Sequence, residues 1–206
     1  MKGNGLQLYN MITDAAGTQA LLLGRDNVLS CDVGGPVRPY LAQGGTAATT
    51  SLDWLYGPIV VDQSGASPGE GADGKYGPRP AFWEAAGRVS ADVARVTLTV
   101  AHKTTGATET VEAKVLNGTF QARLVLPTGS PLITGSDETG EEQRSVATSV
   151  VPTLRAYDAD GRLVGQIVQS GKDHVPAGCY ATPSGQVIYG VREGQAACKP
   201  ATSWRP

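Results

Sequence analysis

The chain has 206 residues with 17 Lys+Arg against 19 Asp+Glu, a net charge of −2 and a pI near 5.7. That length supports a real hydrophobic core, while the absence of any basic run excludes the Lys/Arg footprint that a nucleic-acid partner requires. Gly 27 and Pro 13, with only 17% charged residues, favour many turns and short strands over long helices, so the expectation is a mainly β protein.

The opening "MKGNGLQLYN" has neither the apolar core nor the small-residue cleavage site of a signal peptide. No apolar stretch approaches the ~18 residues of a membrane span. Any membrane association is therefore expected through an anchor outside this chain. Residues 1–80 predict a small β-rich or α+β extension. "LQLYNMITDAAG" suits either a short amphipathic helix or an edge strand. "QALLLGRDNVLSCDVG" suits two strands joined near Asp26-Asn27, and "DWLYGPIVVDQ" another strand, interrupted at Pro58.

"GEGADGKYGPRP", Gly69 to Pro80, fits two phosphate-binding patterns, since Gly69, Gly71 and Gly74 space as G-x-G-x-x-G and Gly74-Lys75 completes most of a Walker loop. A dinucleotide fingerprint must follow a strand directly and open a helix. Here "PIVVD" ends seven residues before Gly69, and Pro78 and Pro80 oppose a helix. Tyr76 also stands where a Walker Ser/Thr would bind magnesium. The stretch predicts a connector at a domain boundary, with no nucleotide and no cofactor.

The clearest pattern lies in residues 93–126. In "VARVTLTVAH", Ala94, Val96, Leu98 and Val100 alternate with Arg95, Thr97 and Thr99, a strand with one buried face. Asn117-Gly118 is a strong two-residue hairpin signal. Folding there sets Val115 opposite Phe120, Ala113 opposite Ala122 and Val111 opposite Leu124, with Glu112, Lys114, Gln121 and Arg123 on the solvent face. An acidic excursion containing Glu141 and Glu142 follows. "VVPTLRAYDADGRLVGQIV" then predicts a second hairpin, turning at Asp158–Gly161 with Gly161 left-handed. A calcium loop would need a third oxygen ligand where Arg162 stands.

"GRVSADVARVTLTV", "VLNGTFQARLVLP" and "LRAYDADGRLVG" together resemble the bacterial immunoglobulin-like domains of secreted and cell-surface proteins. Asn117, Gly118, Thr119, Phe120 and Pro127 match that family's hairpin, and Ala156, Asp158 and Gly161 its later turn. The resemblance covers roughly residues 87–169 and departs at the long excursion and at Arg162. More loosely, the pattern is similar to extracellular regions of actinobacterial single-pass membrane proteins. The resemblance implies an immunoglobulin-like β-sandwich over 81–170, between the 1–80 extension and a 171–206 tail, and it implies nothing about activity.

Three cysteines occur. Cys179 and Cys198 bracket a Gly-rich segment with little core of its own. A disulfide there contributes ~3 kcal/mol in the chain-entropy model and implies an oxidising compartment. Two free buried thiols are the alternative. Cys31 sits on a strand pattern, as a small core residue or as a replacement for either bridge partner. No C-x-x-C is present and His102 and His174 lie far apart, so no metal site is expected.

Chemistry is sparse. No nucleophile elbow or zinc-protease motif occurs. Asp173 and His174 are neighbours, but adjacent residues on an extended chain point apart, which opposes a triad. "DWLYGP" and "PAFWEAAG" offer Trp54, Tyr56 and Trp83 as candidate ligand-binding aromatics, against the ordinary alternative of core packing. The expectation is a non-catalytic extracellular or cell-surface recognition, sensor or structural module with an unidentified protein or glycan partner. The rivals are a secreted hydrolase with a loop-borne site at His174 and a glycan-binding module.

Overall fold

A computed structural model describes residues 5–24, 28–33, 40–41, 52–67, 80–126, 150–169, 178–190 and 197–204. The strands in chain order are β1 Gln7–Asp14, β2 Gly17–Leu23, β3 Val28–Val33, β4 Tyr40–Leu41, β5 Trp54–Leu55, β6 Ile59–Ser67, β7 Phe82–Val89, β8 Arg95–His102 and β9 Thr108–Glu112. They continue as β10 Lys114–Leu116, β11 Thr119–Val125, β12 Val150–Tyr157, β13 Leu163–Val168, β14 Tyr180–Ala181, β15 Val187–Tyr189, β16 Lys199–Pro200 and β17 Thr202–Ser203. No helix occurs among the described residues, so "LQLYNMITDAAG" takes the strand alternative as β1.

Two four-stranded antiparallel sheets, ordered β10-β11-β7-β6 and β13-β12-β8-β9, face each other across one core. Val96, Leu98 and Val100 of β8 and Leu154 and Ala156 of β12 meet Phe120, Ala122 and Leu124 of β11 there. The alternation expected for β8 holds for Val96, Leu98 and Val100, but Ala94, expected on the same face, is exposed and precedes the strand, and Thr97, expected outward, is buried. Each fully buried large side chain adds ~1.5–3 kcal/mol of transfer free energy. Pro152 sits within β12 without breaking its ladder to β8: its missing N–H falls at the end of the β13 side, where Gln169 N–H donates to Pro152 O. The edge strand β6 comes from the N-terminal side of the 80/81 boundary.

The Asn117-Gly118 turn forms with positive φ at both residues, 50° and 67°, and sets Val115 opposite Phe120 as expected. The register further out is corrected. The chain breaks at Ala113, whose N–H donates to Val96 O, and the strand divides between the two sheets. Val111 pairs with Leu98, and Leu124 pairs with Trp83. A strand that starts in one sheet and ends in the other closes the sandwich edge, which a single long hairpin would leave open. The second hairpin follows its expected design: Gly161 has φ 79°, and Asp158 Oδ1 accepts from the N–H groups of Asp160 and Arg162.

The second correction concerns the face carrying Gln121 and Arg123. Glu112 and Lys114 are exposed, but Gln121 and Arg123 are buried. A third sheet, β1-β2-β3-β4, lies over that face, making β11 part of a central layer buried on both sides. The antiparallel β2–β3 pair is the one expected across Asp26-Asn27, and those two residues lie outside the described set. The layers are joined by polar groups: Asn10 Nδ2 donates to Lys114 O at 2.9 Å, and Gln121 Nε2 to Gln19 Oε1 at 2.8 Å. Asn117 Nδ2 and Lys114 Nζ donate to the β1 carbonyls of Tyr9 and Met11, which occupies acceptors on the outer edge of that strand. A smaller apolar cluster of Leu21, Leu23, Leu55, Val60, Ala86 and Trp204 fills the same seam.

Gly87 lies between β6 and β11, where a Cβ would collide with Val60 O and stand 2.9 Å from Phe120 Cε1. Only glycine fits. Opposite it β6 bulges, and this aims Asp62 at Arg88.

Candidate functional site

The C-terminal segment forms its own small sheet, β15-β14-β16, in which β14 and β16 run parallel. Cys179 and Cys198 immediately precede those two strands and form the disulfide. Lys199 N–H donates to Cys179 O and Ala201 N–H to Ala181 O, extending the pairing. Gly190 closes the unit at φ 71°, where a Cβ would collide with Gly178 O.

This unit brings Tyr180 and Tyr189 to Tyr56. The Tyr56 and Tyr189 rings stack at 4.1 Å with planes 18° apart, and Tyr180 stands 6.3 Å from each. Lys199 Nζ lies 5.6 Å over the Tyr180 ring. All three tyrosines are half-buried. Burial, then the charge of Asp62 and the neighbouring Tyr189, push the Tyr56 phenol up to about 12; burial and Tyr180 push Tyr189 up as well. Neither phenol ionises near neutral pH, so both hydroxyls keep their protons and act as donors. The patch therefore combines aromatic rings, neutral hydroxyls and one ammonium.

Of the three aromatics singled out in the sequence, Tyr56 lies in this patch. Trp54 is half-buried on β5, opposite Ser203 of β17. Trp83 is 7% exposed, inside the core between the two sandwich sheets. The structure thus separates Trp83 from the surface aromatics. Tyr180, Tyr189 and Lys199 carried no signal of their own in the sequence, because a short β-turn-β tail gives no period that marks a face. Asp173 and His174, the Gly69–Arg79 part of the connector and the acidic excursion at 128–149 lie outside the described residues.

The other chemical groupings serve the fold. His102 Nδ1 accepts from the N–H groups of Thr104 and Thr105 in a turn. Arg162 occupies both acidic groups of the second hairpin, with Nε 2.9 Å from Asp158 Oδ2 and Nη2 2.6 Å from Asp160 Oδ2. Cys31 is a free, half-buried thiol on the outer face of β3. Burial and then Asp32 push it up, which keeps it a protonated, poor nucleophile.

Two arginines are buried in the seam between the N-terminal and central sheets. Arg88 Nε and Nη2 donate to Asp62 Oδ2 and Oδ1, both at 2.9 Å, and Nη1 to Leu52 O at 2.7 Å and Trp54 O at 3.2 Å. Arg123 is ringed by Asp14, Asp32 and Glu84 and stacks 4.9 Å over Phe82. Among the described residues, no group of three or more His, Cys, Asp or Glu is arranged to hold a metal ion. Comparison of the chain with protein-family models, with curated proteins and with solved structures returns no significant match.

Proposed function

We propose that the chain is a non-catalytic recognition or structural module of the immunoglobulin-like kind, working at the cell surface or outside the cell. The observation that carries this reading is the disulfide-tied C-terminal unit, which joins Tyr180, Tyr189 and Lys199 to Tyr56 in one half-exposed patch. The disulfide favours an oxidising compartment. Aromatic faces suit the apolar face of a sugar or peptide, and the phenols and ammonium supply donors to its polar groups. The facing four-stranded sheets, the Asn117-Gly118 hairpin and the Asp158–Gly161 turn are in keeping with the immunoglobulin-like resemblance.

Two measurements test the proposal. Thiol titration of unreduced protein is expected to find one free cysteine per chain; three free cysteines would remove the extracytoplasmic argument. Binding screened against glycan arrays and extracellular protein fractions is expected to fall at least tenfold in Tyr189→Ala and Lys199→Ala. Equal binding by wild type and both variants would exclude the patch as the contact surface.

A further inference from the structure

The β1–β3 part of the third sheet has its polarity reversed. Beside Leu21 and Leu23, its inner side carries Asn10 and Gln19, which bond to the central layer, and Asp14 and Asp32, which lie against Arg123. Its outer side is apolar. Leu8 and Met11 of β1 register with Leu22 and Ala20 of β2, and these with Leu29 and Cys31 of β3. At one end the hydroxyls of Thr13 and Thr18 bond to each other at 3.0 Å, in register with Val33. None of these outward positions is charged, and the two polar ones satisfy each other. Leu8 is 56% exposed, Val33 53% and Met11 40%. An antiparallel sheet with one solvated face normally alternates the other way, hydrophobic in and polar out. The outer side is therefore patterned as a layer that something covers.

Charge, edge and size select the occupant. The chain has a net charge of −2, yet two copies can meet on this face without opposing any like charges. A charged partner finds no counter-charge on it, and anionic lipid headgroups find no Lys or Arg. Pairing along the β1 edge is opposed, because Asn117 and Lys114 already occupy the carbonyls of Tyr9 and Met11. Stacking on the face remains open. Three strands ~4.8 Å apart, each about five residues long at ~3.4 Å, give a footprint of ~250 Å². That is about a third of the ~800 Å² each partner gives to a standard interface. It suffices for the apolar centre of a reversible contact and falls short of an obligate one.

We infer that this face is a self-association surface on which two copies of the chain stack outer side to outer side. The sheets lie ~10 Å apart with their strands within ~30° of alignment, as in other sheet-on-sheet packings. The contact is isologous, with the Met11–Ala20–Cys31 row at its centre.

Sedimentation velocity of the unreduced full chain, from about 10 µM to about 1 mM, tests the pairing. The chain is expected to pass from monomer to dimer across that range. Leu8→Lys and Val33→Lys are expected to stay monomeric, while Leu163→Lys, at a residue equally exposed on β13, associates as the wild type does. In the unaltered protein Cys31 serves as a reporter that needs no variant to fold: its alkylation by a small maleimide should slow about fivefold over the same range. A chain that is monomeric throughout overturns the proposal, as does association kept by both lysine variants or a Cys31 rate indifferent to concentration. Protection of Cys31 only on neutral phosphatidylcholine vesicles, with the chain monomeric, also overturns it and makes the face a membrane contact.

Discussion

Replacing Arg88 by methionine is the sharpest test of how the layers are held together. Arg88 is 1% exposed and its three guanidinium nitrogens are all engaged: two on Asp62, the third on the carbonyls of Leu52 and Trp54. The guanidinium also lies 5.5 Å over the Trp204 ring. Methionine fills most of the volume but leaves the Asp62 carboxylate nearly buried with no cation beside it. Removing one partner of a buried pair costs ~3–5 kcal/mol. Loss of the donor to two carbonyls adds about 1 kcal/mol. The expected ~4–6 kcal/mol is a large share of the ~5–15 kcal/mol that holds a domain together. Urea unfolding followed by tryptophan fluorescence should show the midpoint falling by about 2 M or more, for a slope of ~2 kcal/mol per M. The double variant Arg88→Met/Asp62→Leu removes the stranded charge and should recover at least half of the loss, since apolar replacement of a whole buried pair is often nearly neutral. A single-variant loss below about 1 kcal/mol, or a double variant no better than the single, would refute the reasoning.

Gly87→Ala forces a Cβ onto Val60 O and should destabilise by ~3 kcal/mol or more in the same assay; a neutral result would mean β6 and β7 can separate freely. The double variant Cys179→Ala/Cys198→Ala opens a loop of sequence separation 19 and should lose ~3 kcal/mol, with Tyr56–Tyr189 stacking lost by near-UV circular dichroism. Asn117→Val places a β-branched residue at φ 50° and should cost ~1–2 kcal/mol in thermal unfolding. Asp158 makes the acid end of the stability profile testable. The Arg162 N–H and guanidinium hold its carboxyl below the ordinary 3.8, so its contribution is present above that value and lost as pH falls through the depressed one. Asp158→Asn should therefore flatten the acid limb of the stability profile.

The two sandwich hairpins were legible because each is specified locally. Asn117-Gly118 dictates its turn, and Asp158 with Gly161 dictates the next. β8 was legible on its apolar side, where Val96, Leu98 and Val100 all enter the core, and less so on the other, where Thr97 is buried as well. The same rule failed on β11, where Gln121 and Arg123 alternate just as cleanly yet face another protein layer. A polar residue facing water and one facing a polar partner leave the same mark in a single strand. The partners that distinguish them, Gln19, Asp14 and Asp32, lie about a hundred residues earlier. The break at Ala113 was hidden for a related reason, since small residues fit both a continuous strand and a crossing between sheets. The disulfide followed from cysteine placement, but the tyrosine patch needed Tyr56 brought to Tyr180 and Tyr189 from a distant part of the chain.

Trp204 has a consequence for force. Its Nε1 donates to Gly118 O, its N–H to Asp53 O, and its ring meets Tyr9 at 5.7 Å. The two ends of the described chain therefore meet at one place beside the Asn117-Gly118 turn. Both ends are bonded to that turn, Tyr9 O through Asn117 and Trp204 through Gly118 O, so tension applied between them falls first on the β10–β11 hairpin and its contacts with β1. Traction on the ends therefore bears on the one hairpin whose strands also help to close the sandwich.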